Sequence, residues 1–172
     1  MLTRQINIRS AQPYDLPALL GHMRSLAEFE SYISEFRVDE KSLLIRAFGS
    51  HPECHIFVAE CTDAIVGYAV GLIIPFTYDL KSTVVLKELF VDPGYRGKGA
   101  GSALFRHVAA WALSQGSGRL KWDVLTGNHN AEAFYMKQGG RPDNKWTPYV
   151  MDEEALKSSA KEAGTIYQQG IF

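Results

Sequence analysis

A glycine-rich turn between an apolar strand and a helix has the residue types most suited to chemistry in this sequence. The apolar run 89–91 ends at the turn residues 92–94 (DPG), and 96–102 (RGKGAGS) then leads to a helical pattern from Ala103. The first N–H groups of a helix lack internal partners and its dipole is positive there. Glycines let an anion approach the backbone, and Arg96 and Lys98 add positive charge. We therefore expect this turn to bind phosphate groups.

The spacing of the glycines excludes two common phosphate loops. The Walker pattern requires Gly, four residues, then Gly-Lys-Ser/Thr, which is not found here, and the alternating Gly97, Gly99 and Gly101 do not match G-x-G-x-x-G. The pattern that does fit is Arg-x-x-Gly-x-Gly, beginning at Arg96. A second motif, N-x-x-A-x-x-x-Y, runs from Asn128 to Tyr135 and is followed by two glycines.

With these two motifs in this order, most of the chain resembles the GNAT family of N-acetyltransferases. Within that family it is similar to the diamine (spermidine/spermine-type) and thialysine acetyltransferases, through residues 26–30 (LAEFE), 66–69 (VGYA), 76–79 (FTYD) and 95–97 (YRG). The resemblance implies an α/β fold with a mixed, mostly antiparallel central sheet, flanking helices and a splayed parallel strand pair. It also implies a bulge in the strand before the turn, and one domain over residues 1–172.

The resemblance further implies acetyl-CoA as the acetyl donor. Its peptide-like arm would hydrogen-bond to the backbone of Leu89, Phe90 and Val91 as an added strand does. Its pyrophosphate would lie on the turn, and the residues expected there are Arg96, Gly97, Lys98, Gly99, Ala100, Gly101 and Ser102. Asn128 and Tyr135 complete the expected donor site. The alternative is that the turn is only a tight connection between strand and helix.

Acetyl transfer to an amine poses two proton problems. An aliphatic amine has a pKa near ~10.4 and must lose a proton before it attacks, while the departing thiolate needs one. Tyr135 matches the general acid of the family, and Glu88 is our candidate for the base, acting through water. A backbone N–H near Leu89 would stabilise charge on the thioester oxygen. Alternatively, Tyr135 is a core aromatic and Glu88 a solvated strand residue or partner of Lys87.

The acceptor is less well defined by the sequence. The diamine enzymes have two adjacent acids where this chain has Lys87-Glu88, so one negative charge is missing where a polycation would lie. Glu30, Asp79 and Asp123 are the candidate carboxylates for binding an amine, and each could instead be a surface or capping residue.

Composition narrows the classes of function. The chain has 172 residues, of which 46% are hydrophobic and 22% charged, with a net charge of -1, which suits one globular domain and gives no electrostatic footprint for nucleic acid. The longest apolar run is too short to span a bilayer, and the N-terminus lacks the apolar core of a signal peptide. Cys54 and Cys61 have no metal-binding spacing. We expect a cytoplasmic protein without a metal, a nucleic acid partner or a membrane partner.

Periodicity predicts the elements that must position these residues. The predicted strands cover 6–9, 55–61, 65–74, 84–91, 120–125 and 146–151, and the predicted helices cover 16–29, 39–48, 103 onwards, 130–138 and 152–163. A loop is expected from Phe76 to Asp79. The parallel crossover joins strands 84–91 and 120–125.

These observations predict a homodimeric enzyme that moves an acetyl group from acetyl-CoA to a primary amine by direct attack. A small amine (a diamine, polyamine or lysine-like amino acid) is favoured as the acceptor. The alternatives are acetylation of a protein lysine or N-terminus, and a regulatory protein that binds acyl-CoA without turnover.

Overall fold

A five-stranded sheet forms the centre of the fold in the computed structural model, which describes residues 5–75 and 78–168, with 162–168 as backbone only. The strands lie in the order of the sequence. Each of the first three pairs antiparallel with the next, and the last two are parallel. They are β1 (Ile6–Ser10), β2 (His55–Cys61), β3 (Ala64–Ile74), β4 (Thr83–Val91) and β5 (Arg119–Lys121). The predicted mixed, mostly antiparallel sheet is confirmed.

The described residues form five α-helices at the positions that periodicity indicates. They are α1 (Leu16–Phe29), α2 (Glu40–Phe48), α3 (Ala100–Ser114), α4 (His129–Lys137) and α5 (Glu153–Gln168). Asp39 caps α2, since its side chain accepts a hydrogen bond of 2.7 Å from the Ser42 N–H. α3 begins at Ala100, three residues before the predicted start, because Gly99 adopts the left-handed conformation that ends the turn.

Apolar side chains cover both faces of the sheet. One cluster, which we call the α3 core, includes Leu86 of β4 together with Leu104 and Val108 of α3. The other, the α1 core, includes Phe90 of β4 together with Leu19 of α1. The central part of β3 is buried on both faces, which explains its nearly continuous apolar sequence.

A bulge in β4 changes which face its side chains point to. Val70 of β3 pairs with Glu88, whereas the next residue, Gly71, pairs with Leu86, so Lys87 has no partner in this ladder. Before the bulge Leu86 contributes to the α3 core, and after it Phe90 contributes to the α1 core. Because side chains alternate along a strand, Glu88 lies on the same face as Phe90.

The parallel pair is short and then separates. Pairing between β4 and β5 covers Thr83–Arg119, Val84–Leu120 and Val85–Lys121 and continues no further. The predicted strand over 120–125 is therefore too long, because residues 122–125 have no ladder partner among the described residues. The splayed strand pair that the resemblance implies is present.

The predicted strand over 146–151 is wrong. These residues have irregular backbone, and Tyr149 and Val150 are 94% and 93% exposed. Alternation of apolar residues is not sufficient for a strand when no neighbouring strand supplies hydrogen bonds, and none does so within the described parts of the chain. Phe76 and Thr77 of the predicted loop lie outside the described residues.

The chain divides into two compact units, one up to Gln138 and the other from Gly139 onward. All five strands and the first four helices belong to the first unit, whereas α5 belongs to the second. No helix within residues 5–75 and 78–168 is both long and apolar enough to cross a membrane. The single domain over residues 1–172 stays a prediction.

Candidate active site

The turn between β4 and α3 is held by its own backbone and by short polar contacts. The Asp92 carboxylate accepts a hydrogen bond of 2.8 Å from the Gly94 N–H, which closes a single 3-10 turn at Pro93–Tyr95. Gly97 and Gly99 have φ angles of +72° and +91°, a region that L-residues other than Asn and Asp rarely adopt. Glycine therefore suits the path of the chain at both positions.

The N-terminus of α3 presents unpaired backbone donors. Gly99 is the N-cap and supplies no side chain, and the first helical hydrogen bond runs from the Ala103 N–H to the Gly99 carbonyl, at 2.9 Å. The N–H groups of Ala100, Gly101 and Ser102 precede that bond, and none has an acceptor among the residues that the structure describes. Three free donors at the positive end of a helix dipole suit a phosphate group.

Arg96 and Lys98 brace this turn. The Arg96 Nε donates to the Val91 carbonyl at 3.0 Å, and the Lys98 Nζ donates to the Gly94 carbonyl at 2.7 Å. The Lys98 ammonium also lies 5.1 Å from the centre of the Tyr95 ring. Both side chains are exposed, so they keep a positive charge at the surface of the turn while fixing its shape.

The backbone of β4 has one free edge where the parallel pair separates. Leu89, Phe90 and Val91 pair with β3 on one side, while the ladder with β5 has already ended at Val85. The other edge of these three residues has no strand beside it among the described residues, so an added strand or a peptide-like ligand could pair there. The Val91 carbonyl at its end already accepts the Arg96 hydrogen bond. This edge leads directly into the turn, so the two parts of the predicted donor site are continuous.

Glu88 is held in a partly buried position on the α1-core face of β4. The hydroxyl of Tyr68 on β3 donates a hydrogen bond of 2.6 Å to its Oε2. Burial raises the pKa of Glu88 above its ordinary value, against the opposing effects of the Tyr68 hydrogen bond and the neighbouring Lys87. A carboxylate with a raised pKa is a stronger base than one in water.

Tyr135 lies on α4 within a group of aromatic rings. Its ring centre is 5.0 Å from that of Trp122, 5.0 Å from that of Phe134 and 5.8 Å from that of Phe105. Burial, with a smaller effect from the charge of Glu30, raises the pKa of Tyr135 to about 12. Its hydroxyl makes no hydrogen bond to any described residue, so it remains able to donate to a ligand.

Asn128 begins the helix that carries Tyr135. Its side-chain oxygen accepts a hydrogen bond of 3.1 Å from the Ala131 N–H, which caps α4. The N-x-x-A spacing is thus the spacing of an N-cap and the third helical residue, and Tyr135 follows one turn after Ala131. The structure assigns Asn128 a capping role, and its contact with the donor stays a prediction.

The three candidate acceptor carboxylates have different surroundings. Glu30 is exposed at the end of α1, and its charge helps to raise the pKa of both Glu88 and Tyr135, so these three groups share one electrostatic environment. Asp79 forms an ion pair with Arg119, which also hydrogen-bonds the Tyr78 hydroxyl. Asp123 is exposed. Glu30 therefore acts electrostatically on both Glu88 and Tyr135, whereas Asp79 is already paired.

Comparison with known proteins agrees with this geometry. The family model described as "Acetyltransferase (GNAT) family" matches residues 22–140. The chain belongs to the GNAT acetyltransferase family. It is 30% identical over 164 residues to a thialysine N-epsilon-acetyltransferase of Sus scrofa, covering 89% of this chain and 96% of that protein. It is also 24% identical over 167 residues to a human spermidine/spermine N(1)-acetyltransferase-like protein 1, covering 90% of this chain and 24% of that longer protein.

Among solved structures, an integron cassette protein from the mobile metagenome of V. cholerae is similar, with a TM-score of 0.76 and 25% identity. The match covers 91% of this chain and 98% of that chain. Together these findings make the protein an acetyl-CoA-dependent N-acetyltransferase. The free N–H groups of α3 fit a pyrophosphate, which agrees with the acetyl-CoA donor of the GNAT family.

One residue of this GNAT site was not predicted to have a function. Tyr68 is fully buried in β3, and its hydroxyl is the hydrogen-bond donor to Glu88. The clue in the sequence is a hydroxyl-bearing residue within an otherwise apolar strand, because a buried phenol needs a hydrogen-bond partner. The identity of that partner depends on the register between β3 and β4, which the sequence pattern does not specify.

Proposed function

We propose that the protein transfers the acetyl group of acetyl-CoA to a primary amine of a small molecule, such as a diamine, a polyamine or a lysine-like amino acid. The observation that carries the proposal is the partly buried Glu88 carboxylate, which lies next to the unpaired edge of β4. The charge of Glu30 helps to raise the pKa of both Glu88 and Tyr135. Similarity to a thialysine acetyltransferase along 96% of that protein supports a small acceptor.

Backbone groups would bind the donor. The N–H groups of Ala100, Gly101 and Ser102 would hydrogen-bond the pyrophosphate, with Arg96 and Lys98 adding positive charge. The free edge of residues 89–91 would pair with the peptide-like arm. A backbone N–H near Leu89 would then donate to the thioester oxygen, where negative charge develops as the amine attacks.

Glu88 would take the proton that the amine must lose. An ammonium with a pKa near ~10.4 loses its proton readily only to a positioned base, and a carboxylate of raised pKa meets that need better than one in water. The proton passes to Glu88 through water, and the neutral amine attacks the carbonyl carbon. Glu30 and Glu88 together give the acceptor side of the site a negative charge that attracts the cationic amine.

Tyr135 would assist the departing thiolate. A thiol has a pKa near ~8.5, so complete transfer of a proton from a phenol whose pKa is about 12 is uphill. We therefore assign Tyr135 as a hydrogen-bond donor to the sulfur as the C–S bond breaks. The departing thiolate takes up, through water, the second proton that the nitrogen loses as the amide forms. A cationic amine beside Glu30 would offset the negative charge of Glu30, which helps to raise the pKa of Tyr135.

A thiol-release assay tests the proposal. The protein is mixed with acetyl-CoA and a panel of diamines, polyamines, amino acids bearing a side-chain amine, and lysine-containing peptides. We expect release with at least one small amine and acetylated amine in the products. Release with peptides alone would favour the protein acetyltransferase. Binding of acetyl-CoA without release for any acceptor would favour the regulatory protein.

Three further predictions accompany this function. The assembly is proposed to be a homodimer, the location cytoplasmic, and the partners to exclude nucleic acid and membranes. Sedimentation measures the first directly, and a monomer at micromolar concentration would contradict it.

A further inference from the structure

Tyr68 in the α1 core is fully buried and is also hydrogen-bonded to a carboxylate. It is 0% exposed, and it lies in the interior of β3, whose neighbouring residues Ala69 and Val70 are also buried. A buried phenol must find a partner for its hydroxyl, and here the partner is a single carboxylate oxygen, the Oε2 of Glu88, at 2.6 Å. This short, charge-assisted hydrogen bond links the packed interior to the face of β4 that carries Glu88.

The bulge at Lys87 makes this contact possible. Tyr68 is paired with Phe90 across the ladder, and Glu88 lies two residues before Phe90 on the same face. Without the extra residue, side-chain alternation would send position 88 to the opposite face of the sheet. The bulge therefore places the Glu88 side chain on the α1-core face of the sheet, and the Tyr68 hydroxyl fixes the orientation of its carboxylate by a hydrogen bond.

We propose that Tyr68 is a positioning residue for Glu88, fixing one carboxylate oxygen so that the other accepts the proton of the amine. This inference rests on the proposed base role of Glu88. Because the hydrogen bond occupies Oε2, it limits rotation of the carboxylate and leaves Oε1 for water and the acceptor. Burial of Tyr68, together with the charge of Glu88, raises the phenol pKa far above neutral, so Tyr68 remains the donor throughout the working pH range.

The direction of the effect on pH dependence follows from charge. A donor to a carboxylate favours the ionised form, so Tyr68 opposes the rise in the Glu88 pKa that burial causes. Removal of the hydroxyl should raise the pKa of Glu88 further, so a higher pH is then needed to ionise the base. The other groups that act electrostatically with Glu88 are Lys87 on β4, Glu30 after α1, Tyr32 and Cys54.

The test is the pH dependence of kcat/KM for Tyr68→Phe, which keeps the ring and removes only the hydroxyl. We expect the acid limb to move up by about one pH unit, so that kcat/KM at pH values below the limb falls about tenfold, with recovery at higher pH and unchanged acetyl-CoA affinity. Tyr14→Phe is the matched control, because Tyr14 is 73% exposed. A uniform loss of rate with an unchanged acid limb would overturn the proposal.

Two further variants separate this inference from the proposed function. In Glu88→Gln, the additional change Tyr68→Phe should cause no further loss of kcat/KM, because its target is gone. If Glu88→Gln retains the wild-type rate, the base assignment fails. If Glu88→Gln is inactive but Tyr68→Phe leaves the acid limb in place, only the role of Tyr68 fails.

A second measurement covers the case in which Tyr68→Phe does not fold. Protein made with 3-fluorotyrosine carries more acidic phenols, which are stronger donors, so the acid limb should move down. An acid limb at the wild-type position in the folded, fluorinated protein would contradict the proposal.

Discussion

The turn at residues 92–102 and the group around Glu88 differ in which atoms are available to a ligand. In the turn, the backbone N–H groups of Ala100, Gly101 and Ser102 have no acceptor among the described residues. Its two charged side chains are tied to backbone carbonyls, one at the end of β4 and one in the turn. Around Glu88, the groups proposed to act on the substrates are carboxylates and phenols from β3, β4, α4 and the residue that follows α1. The donor side therefore depends on chain path, and the acceptor side on how separate elements pack.

This difference has a consequence for substitutions. A change at a turn glycine alters the backbone or fills the space of the ligand, so it should remove donor binding as a whole. A change around Glu88 should leave donor binding intact and alter rate, pH dependence or acceptor preference. The following predictions test this separation in order of expected size.

The largest effect is expected for Gly99→Asp. A carboxylate at the N-cap accepts the free N–H groups of α3 and repels the pyrophosphate, so acetyl-CoA affinity should fall at least about 100-fold while the fold is kept. Titration calorimetry measures the affinity. Gly116→Asp is the control, because Gly116 also has a positive φ, of +69°, but follows the other end of α3. Equal losses in the two variants, or none in Gly99→Asp, would contradict the donor assignment.

A smaller effect is expected for Tyr135→Phe. Loss of one hydrogen-bond donor to the leaving sulfur should lower kcat about 10- to 100-fold and leave acetyl-CoA affinity nearly unchanged. Steady-state kinetics and calorimetry measure the two quantities on the same protein. Tyr149→Phe, at a position that is 94% exposed, should keep the wild-type kcat. A wild-type kcat for Tyr135→Phe would remove the residue from the mechanism.

Acceptor preference should change in Lys87→Glu. This variant places a second acid beside Glu88, so kcat/KM for a polyamine relative to a monoamine should rise about 3- to 10-fold. Competition between two amines, read by mass spectrometry, gives the ratio directly. Lys41→Glu on α2 makes the same change of charge on another exposed residue. An unchanged ratio in Lys87→Glu would mean that position 87 does not face the acceptor.

The smallest effects should rank the candidate carboxylates. Glu30→Gln should raise KM for the amine about 3- to 10-fold, because its charge acts on the same space as Glu88 and Tyr135. Asp79→Asn should raise it less, since Asp79 is already paired with Arg119. Initial rates at varied amine concentration provide both values. A larger rise in KM for Asp79→Asn than for Glu30→Gln would indicate that the amine binds near Asp79, before the start of β4.

The sequence was sufficient to predict the glycine turn because local rules determine its backbone. Glycines at positive φ, an Asp that closes a turn and a helix that begins without a capping side chain are all properties of a few adjacent residues. The N-x-x-A spacing likewise corresponds to a helix cap, in which Asn128 bonds to Ala131 three residues later and no residue distant in sequence takes part. Only the start of α3 was misplaced, since glycines within the first turn weaken the helical pattern.

The acceptor side required contacts between distant residues. Tyr68 and Glu88 meet because Lys87 is bulged, and the bulge depends on pairing with β3 rather than on the sequence of β4 alone. The two strand errors have the same origin. Residues 122–125 and 146–151 have suitable side chains, but a strand also needs a neighbour at the correct distance.

The most direct test of the account is kcat/KM for Glu88→Gln, measured with the best amine of the panel beside the acetyl-CoA affinity of the same protein. Loss of the base should lower kcat/KM about 100-fold or more, while the intact turn keeps the affinity within about twofold of wild type. A variant that binds acetyl-CoA normally and acetylates the amine at the wild-type rate would contradict the assignment of Glu88 and, with it, the division of the site into its two sides.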